Sequence, residues 1–360
     1  MTSAVTDLDT SDVDALADVV ENACQSLGGI DAARGLIDGG HYDAQLWRTL
    51  GVDIGVCAIG VPESFGGLGG LAELVAAAEK IGRELTPVPF VSQVLTAQVL
   101  SRCGEPARSL IDRLLNGEIG VLCTGEDFSV RGNTISGATT ATLAGADAAQ
   151  LLVHCAGHLH IVKRDSSAVG VRIPDSLDAT RRWALFILHD APMQRICPLD
   201  DDALERSRDV AELALSAEAL GGAQRCLDMT IAYVKERYQF GRPIGSFQAI
   251  KHTLADLLVG VEMTRSAVER AAGVAPDDPA FEEAVSVARL WSAEAYRQVT
   301  AETVQLHGGI GFTWEHPAHL YFRRARSDIA AFGGLSRHRS RLRRLLGLAS
   351  PADLGSAGVS

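Results

Sequence analysis

Two short stretches carry the residue types from which a ligand site is built. The first, ERYQFGRPIGSFQ, runs from Glu236 to Gln248 and sets Arg237, Phe240 and Gln248 around two glycines and a proline. The second, QLHGGIGF, runs from Gln305 to Phe312 and places Gln305, Leu306 and His307 directly before Gly308 and Gly309. Each lies where a helical pattern breaks. Glycine turns at such breaks expose backbone N–H groups and let a ligand approach the main chain closely. An arginine beside them suits a pyrophosphate, which it meets through two parallel hydrogen bonds.

Other chemistries find less support. There is no GxSxG, no Walker A sequence and no clear Ser/His/Asp or Cys/His constellation. GGLGGL and GGIGFTW contain GxG, but neither has a third glycine at the dinucleotide spacing, and neither follows a strand that opens a βαβ unit. His154, His158 and His160 form H-x3-H-x-H. On a strand His158 and His160 share a face. No carboxylate or cysteine completes a metal set at a usual spacing, so surface histidines and no metal are expected. RHRSRLRRLLG, Arg337 to Gly347, reads as a solvated helix whose arginines pair with acidic neighbours; phosphate contact is the alternative.

The elements that must hold these residues are mostly helical. LAELVAAAEKIGREL, Leu71 to Leu85, puts Leu71, Leu74, Val75, Ala78, Ile81 and Leu85 at helix-face spacing. Residues 1–117 read as an N-terminal helical domain. Thr, Val, Gly and Ser rise over residues 118–200, where IGVLCT, ATTATLA, AQLLVHC, HLHIVKR and WALFILHD predict a small antiparallel β domain. Helical periodicity then returns, predicting a C-terminal four-helix bundle over 201–348 and a tail over 349–360. The fold class is α+β, mostly α.

Composition sets outer limits. The chain has 360 residues, a net charge of −12 and a pI near 5.3. Such a surface repels phosphate backbones and excludes nucleic acid as a partner. The seven cysteines form no CxxC pair and read as buried free thiols in a reducing cytoplasm. MTSAVTDLDTSDVDAL lacks the basic and apolar regions of a secretory signal, and no run of about 18 apolar residues offers a membrane span.

The two opening stretches resemble the acyl-CoA dehydrogenase family. So do VPESFGGLGG with the following LAELVAAAEKIGRELTPVPF, and SLDATRRWALFILHDAP in the β region. The resemblance covers about Leu46 to Gly347 and implies the family's three-domain fold. It also implies oxidation of an acyl-CoA thioester at Cα–Cβ. In that reaction a carboxylate removes the α-proton, hydride leaves Cβ for flavin N5, and hydrogen bonds steady the thioester oxygen. In the family the FAD spans a subunit interface. Carried over by motif, Arg237, Phe240, Gln248, Gln305, Leu306, His307, Gly308 and Gly309 are the residues that touch the FAD held mainly by a neighbour.

The chain departs from the family pattern at the base. One branch places its glutamate after the EHP segment; counted without gaps, that position is Phe332. A second branch places it on the long helix before RxxFG; that position is Ala211. Glu212 is adjacent, but one residue turns a helix by about 100°. A salt bridge or solvent exposure is expected for Glu212. The flavin-wrapping T-E-P…G-S-D segment is also replaced, by LCTGEDFSVRGNTISG, in which only Thr124 corresponds. The resemblance therefore implies the base-lacking subunit of an α2β2 enzyme of the bacterial steroid-degradation type. Its partner would be a homologous subunit that carries the catalytic glutamate, and the expected compartment is the cytoplasm. Two alternatives stay open: a homomeric enzyme with Glu212 as relocated base, and a non-enzymatic scaffold.

Overall fold

A computed structural model describes residues 10–125 and 127–348 of the chain. The predicted 349–360 tail lies outside the described residues. The N-terminal part holds α1 (Thr10–Ser26), α2 (Gly29–Gly39), α3 (Ala44–Arg48), α4 (Leu71–Arg83), α5 (Phe90–Cys103) and α6 (Arg108–Leu115). The α4 pattern forms as its spacing predicts and buries Leu74, Val75, Ala78 and Ile81.

The C-terminal part is built on α7 (Asp201–Glu236), a 36-residue helix capped by Asp200, whose carboxylate accepts from Ala203 N–H at 2.7 Å. Helix α7 is buried on nearly all sides through its middle. Glycine makes this close packing workable where α4 crosses α7. A Cβ on Gly82 would lie 2.0 Å from the Glu218 carbonyl oxygen, and one on Gly221 would lie 1.9 Å from that of Glu79. The main chains touch there, as an Ala- and Gly-rich composition permits. Around α7 stand α8 (Gln248–Ala272), α9 (Pro279–His307), α10 (Ala318–Ala330) and α11 (Leu335–Leu345). The C-terminal part therefore has five helices where four were expected. Helix α10 escapes a hydrophobic reading because Arg324 and Asp328, charged residues, point inward and are buried.

Between these parts lies an eight-stranded sheet. Its strands are β1 (Gly120–Cys123), β2 (Ser129–Arg131), β3 (Thr134–Ala138), β4 (Thr142–Leu143), β5 (Gln150–Cys155), β6 (His158–Lys163), β7 (Val169–Arg172) and β8 (Trp183–Pro198). The 16-residue β8 is the spine and pairs with β3, β4, β6 and β7. All pairings are antiparallel as expected except β1 with β5, which is parallel. Residues alternate between faces. Leu122, Leu152 and Leu159 join the helical core, while Val121, Leu151, Val153, Val162 and Phe186 form a second core within the β part.

Not every cysteine is a free thiol. Cys103, the last residue of α5, is joined to Cys197 near the end of β8, with Cα atoms 5.5 Å apart; the remaining five are free. The bridge spans 94 residues and closes around almost the whole sheet. Chain closure of that length stabilises by on the order of 4–5 kcal/mol in the loop-entropy account. Denatured, unreduced protein is thus expected to titrate five thiols rather than seven. Its calorimetric midpoint is expected to fall on adding reductant. Seven thiols, or coincident midpoints, would remove the bridge as a stabilising element.

Candidate functional site

Helix α7 ends at Arg237 because a tight hairpin follows. β9 (Tyr238–Gln239) pairs with β10 (Arg242–Pro243) across the two-residue loop Phe240–Gly241, with φ of 53° and 78°. Two successive positive φ values fit the twist of a short hairpin. Gly241 adopts this backbone freely; Phe240, a bulky residue in the left-handed region, does not. Its ring is also 90% exposed. The Arg237 guanidinium has no hydrogen-bond or ion-pair partner among the described residues, whereas that of Arg242 lies over the Phe247 ring at 4.0 Å.

The second stretch sits beside the first, because the C-terminal ends of α7 and α9 are stapled together. Tyr233 stacks on His307 at 4.4 Å between ring centroids, and His316 packs against His307 at 4.3 Å. His307 Nδ1 also lies 2.7 Å from the Thr303 carbonyl oxygen. Burial lowers the His307 pKa and, helped by the neighbouring His307, pushes that of His316 down to about 4. The His307 side chain is thus turned inward, between Tyr233 and His316. Arg237, Phe240, Gln248, Gln305, Gly308 and Gly309 are exposed, and Leu306 is half-buried. Gly308 has φ 64°, and a Cβ on Gly308 or Gly309 would meet nothing within 4 Å. Open space over two glycines, with an unpaired arginine one helical turn beyond the Tyr233 that packs on His307, fits the diphosphate part of a nucleotide cofactor.

Phe332 lies elsewhere, between α10 and α11, with φ 53°. It is half-buried at a cavity of about 620 Å³ between the sheet and the helices, also lined by Leu95, Leu122, Thr124, Trp183 and Arg337. Among the described residues the one carboxylate in that lining is Asp175, on the exposed loop after β7, a residue that no sequence motif marked.

Glu212 does not line the cavity. It is 1% exposed, receives Arg337 Nη2 at 2.6 Å and pairs with buried His338. Burial opposes its charge, but the bonds from His338 and Arg337 prevail and hold its pKa below the usual range. Burial likewise lowers the His338 pKa against the pull of Glu212, so a carboxylate facing a neutral imidazole satisfies both directions. The salt-bridge expectation for Glu212 is therefore met.

The basic helix α11 is less solvated than its sequence suggests. Arg341 and His338 are buried, and Arg341 holds Asp209 at 2.6 Å and Glu282 at 3.0 Å. The arginines do pair with acidic neighbours. His160 likewise departs from the surface reading, being 4% exposed. Its place opposite the long β8, rather than at a sheet edge, covers it.

A second buried ion cluster was not legible in sequence. Asp178 holds Arg324 Nε at 2.6 Å, and Arg181 Nη2 reaches Glu218 at 2.6 Å and Asp328 at 3.2 Å. It binds the loop before β8 to α7 and α10.

Comparison with known proteins places this geometry among relatives. Residues 10–118 match the family described as "Acyl-CoA dehydrogenase, N-terminal domain", and residues 204–346 match "Acyl-CoA dehydrogenase, C-terminal domain". The chain is 36% identical over 307 residues to acyl-CoA dehydrogenase IpdE2 of Mycolicibacterium smegmatis, covering 84% of this chain and 88% of the relative. Among solved structures it is similar to the ChsE4–ChsE5 complex from Mycobacterium tuberculosis, with TM-score 0.84 and 28% identity over 94% of this chain and 98% of that one. It is also similar to the Tcur3481–Tcur3483 steroid ACAD, with TM-score 0.83 and 29% identity over 94% and 98%.

Proposed function

Because the chain belongs to the acyl-CoA dehydrogenase family, we propose that it is the base-lacking subunit of a heteromeric, flavin-dependent member. In this reading it completes the ADP half of an FAD site whose flavin ring and catalytic glutamate come from a homologous subunit, in a tetramer of two unlike pairs. The observation that carries it is the pairing of Phe332 at the expected base position with Glu212 locked away from the cavity by Arg337 and His338. The exposed turn at Arg237 and the open Gly308–Gly309 surface support the cofactor part. The strained, exposed Phe240 supports a partner surface, since such outliers persist where function holds them.

When bound, FAD supplies the hydride acceptor for desaturation of an acyl-CoA. The task of this chain is positional. Arg237 would neutralise the pyrophosphate through its planar fork, and the glycine turn would admit the adenosine side against Gln305 and Leu306. Gln248, at the first turn of α8, would add an amide contact. The names of the similar solved structures favour a steroid-derived acyl group and a complex of unlike subunits.

Co-expression with a homologous acyl-CoA dehydrogenase that keeps the glutamate tests the reading. The expected product is a yellow heterotetramer with one FAD for each unlike pair, while the chain purified alone is colourless. A yellow homotetramer that reduces its flavin with acyl-CoA would overturn it. Within the complex, Glu212→Gln is expected to leave the kcat of folded enzyme within about threefold, whereas removing a true base costs ~10²-fold or more. Asp175→Asn is expected to behave the same way. A collapse of kcat in either variant would place the base in this chain.

A further inference from the structure

The histidine motif of the sheet plays no part in the proposed function, yet its geometry is that of a ligand site. His158 and His160 on β6 lie with ring centroids 6.2 Å apart and face a hollow of about 420 Å³. The hollow is closed by Asn133 in the β2–β3 turn, Ala156 in the β5–β6 turn, and Met193 and Arg195 on β8. Arg195 is the register partner of His160, so the two side chains rise from adjacent backbone positions.

Three features indicate what the hollow takes. First, His160 is buried, and its Nδ1 makes no hydrogen bond of good geometry, the cross-strand Val153 backbone being the one group that approaches the ring among the described residues. A buried polar atom left unpaired is costly and calls for a ligand or water. Second, His158 Nδ1 lies 2.8 Å from the Ala156 carbonyl oxygen, which fixes that nitrogen as the donor, so the His158 ring borders the hollow without offering a neutral-imidazole N–H to it. Third, among the described residues the Arg195 guanidinium and the Asn133 amide make no hydrogen bond or ion pair, and no carboxylate lines the hollow. A divalent cation would meet Arg195 and find no anionic ligand. An oxyanion would meet Arg195, the Asn133 amide and an Nδ1–H of His160, which the neutral imidazole can supply. The protein carries a net charge of −12, so a lining with a fixed cation and no acid is not its average surface.

We propose that His160, Arg195 and Asn133, with His158 as a bordering wall, form a binding site for a small oxyanion, a phosphate or a carboxylate, on the sheet. The site is separate from the Arg237 turn and from the cavity at Phe332, with which it shares no lining residue. Its occupancy does not depend on the heteromer reading.

The test is carbethoxylation of histidines in the full-length protein, in whatever assembly it purifies, mapped by peptide mass spectrometry. His154 serves as the internal reference, because it lies outside the hollow with its Nε2 2.9 Å from the Leu199 carbonyl oxygen. Inorganic phosphate and acetate are titrated separately at constant ionic strength against chloride. The expected result is saturable protection of His158 relative to His154 by phosphate, by acetate or by both, and none by chloride. The arm that protects identifies the chemistry. Arg195 is exposed and unpaired, so Arg195→Ala should fold normally and bind the protecting anion about tenfold more weakly, the scale of one lost charge-assisted hydrogen bond. Absence of saturable protection, equal protection in Arg195→Ala, or protection by Zn²⁺ in the absence of oxyanions would each overturn the assignment.

Discussion

Replacing Arg237 by alanine in the proposed heteromer is expected to weaken FAD binding about 10- to 100-fold, the equivalent of the ~1.5–3 kcal/mol carried by hydrogen bonds to a charged group. The fold should not suffer. Arg237 is exposed at the end of α7, and its guanidinium has no partner among the described residues. Surface changes of that kind stay within about 0.5 kcal/mol of the parent. Loss of cofactor with an unchanged unfolding midpoint is therefore the signature, read as FAD retained after gel filtration and as Kd by flavin fluorescence. Arg237→Lys should fall in between, because an ammonium is a point charge and cannot make two parallel bonds. Arg242 is the natural control. It sits in the same hairpin, but its guanidinium is committed to the face of Phe247. If Arg242→Ala loses as much FAD as Arg237→Ala, or Arg237→Ala loses none, the pyrophosphate role fails.

How far such a site can be read from sequence depends on whether its logic is local. The α4 face was legible because burial on one side imposes a repeating apolar spacing. The break at Arg237 was legible because glycine and proline leave marks that do not depend on distant residues. Strands β2 and β7 were not, being short and largely exposed, so no apolar alternation marks them. The predicted strand WALFILHD stops at Asp190, where φ turns to 50°, yet β8 continues for eight residues beyond. His307 shows what the local pattern leaves out. Its place beside two glycines suggests a ligand contact, but stacking between Tyr233 and His316 turns it inward, and those partners are fixed only by tertiary structure. The same holds for the buried ions. Arg181 meets Glu218 across 37 residues, and Asp178 meets Arg324 across 146. Sequence spacing carries no trace of such pairs.

Those distant pairs carry the second large effect. Arg181→Ala is expected to destabilise the protein by about 3–5 kcal/mol at neutral pH, because it leaves Glu218 and Asp328 buried without their shared cation. The deficit should depend on pH in a definite direction. Burial already pushes the Asp328 carboxyl up to about 6 from 3.8, against the attraction of Arg181 and Arg324. Removing Arg181 raises it further. A carboxyl whose folded pKa exceeds its unfolded one favours the fold fully below the unfolded value and loses that contribution as pH rises through the folded value. The variant should therefore come closest to the parent near pH 4–5 and fall furthest behind above pH 6. Combining Arg181→Met with Glu218→Gln removes one charge of each sign and should recover part of the loss, since a balanced apolar replacement is milder than a stranded charge. Calorimetric midpoints at pH 5 and 7.5 decide it. A deficit independent of pH, or a double variant no better than Arg181→Ala, would show that shape rather than charge holds the sheet to α7 and α10.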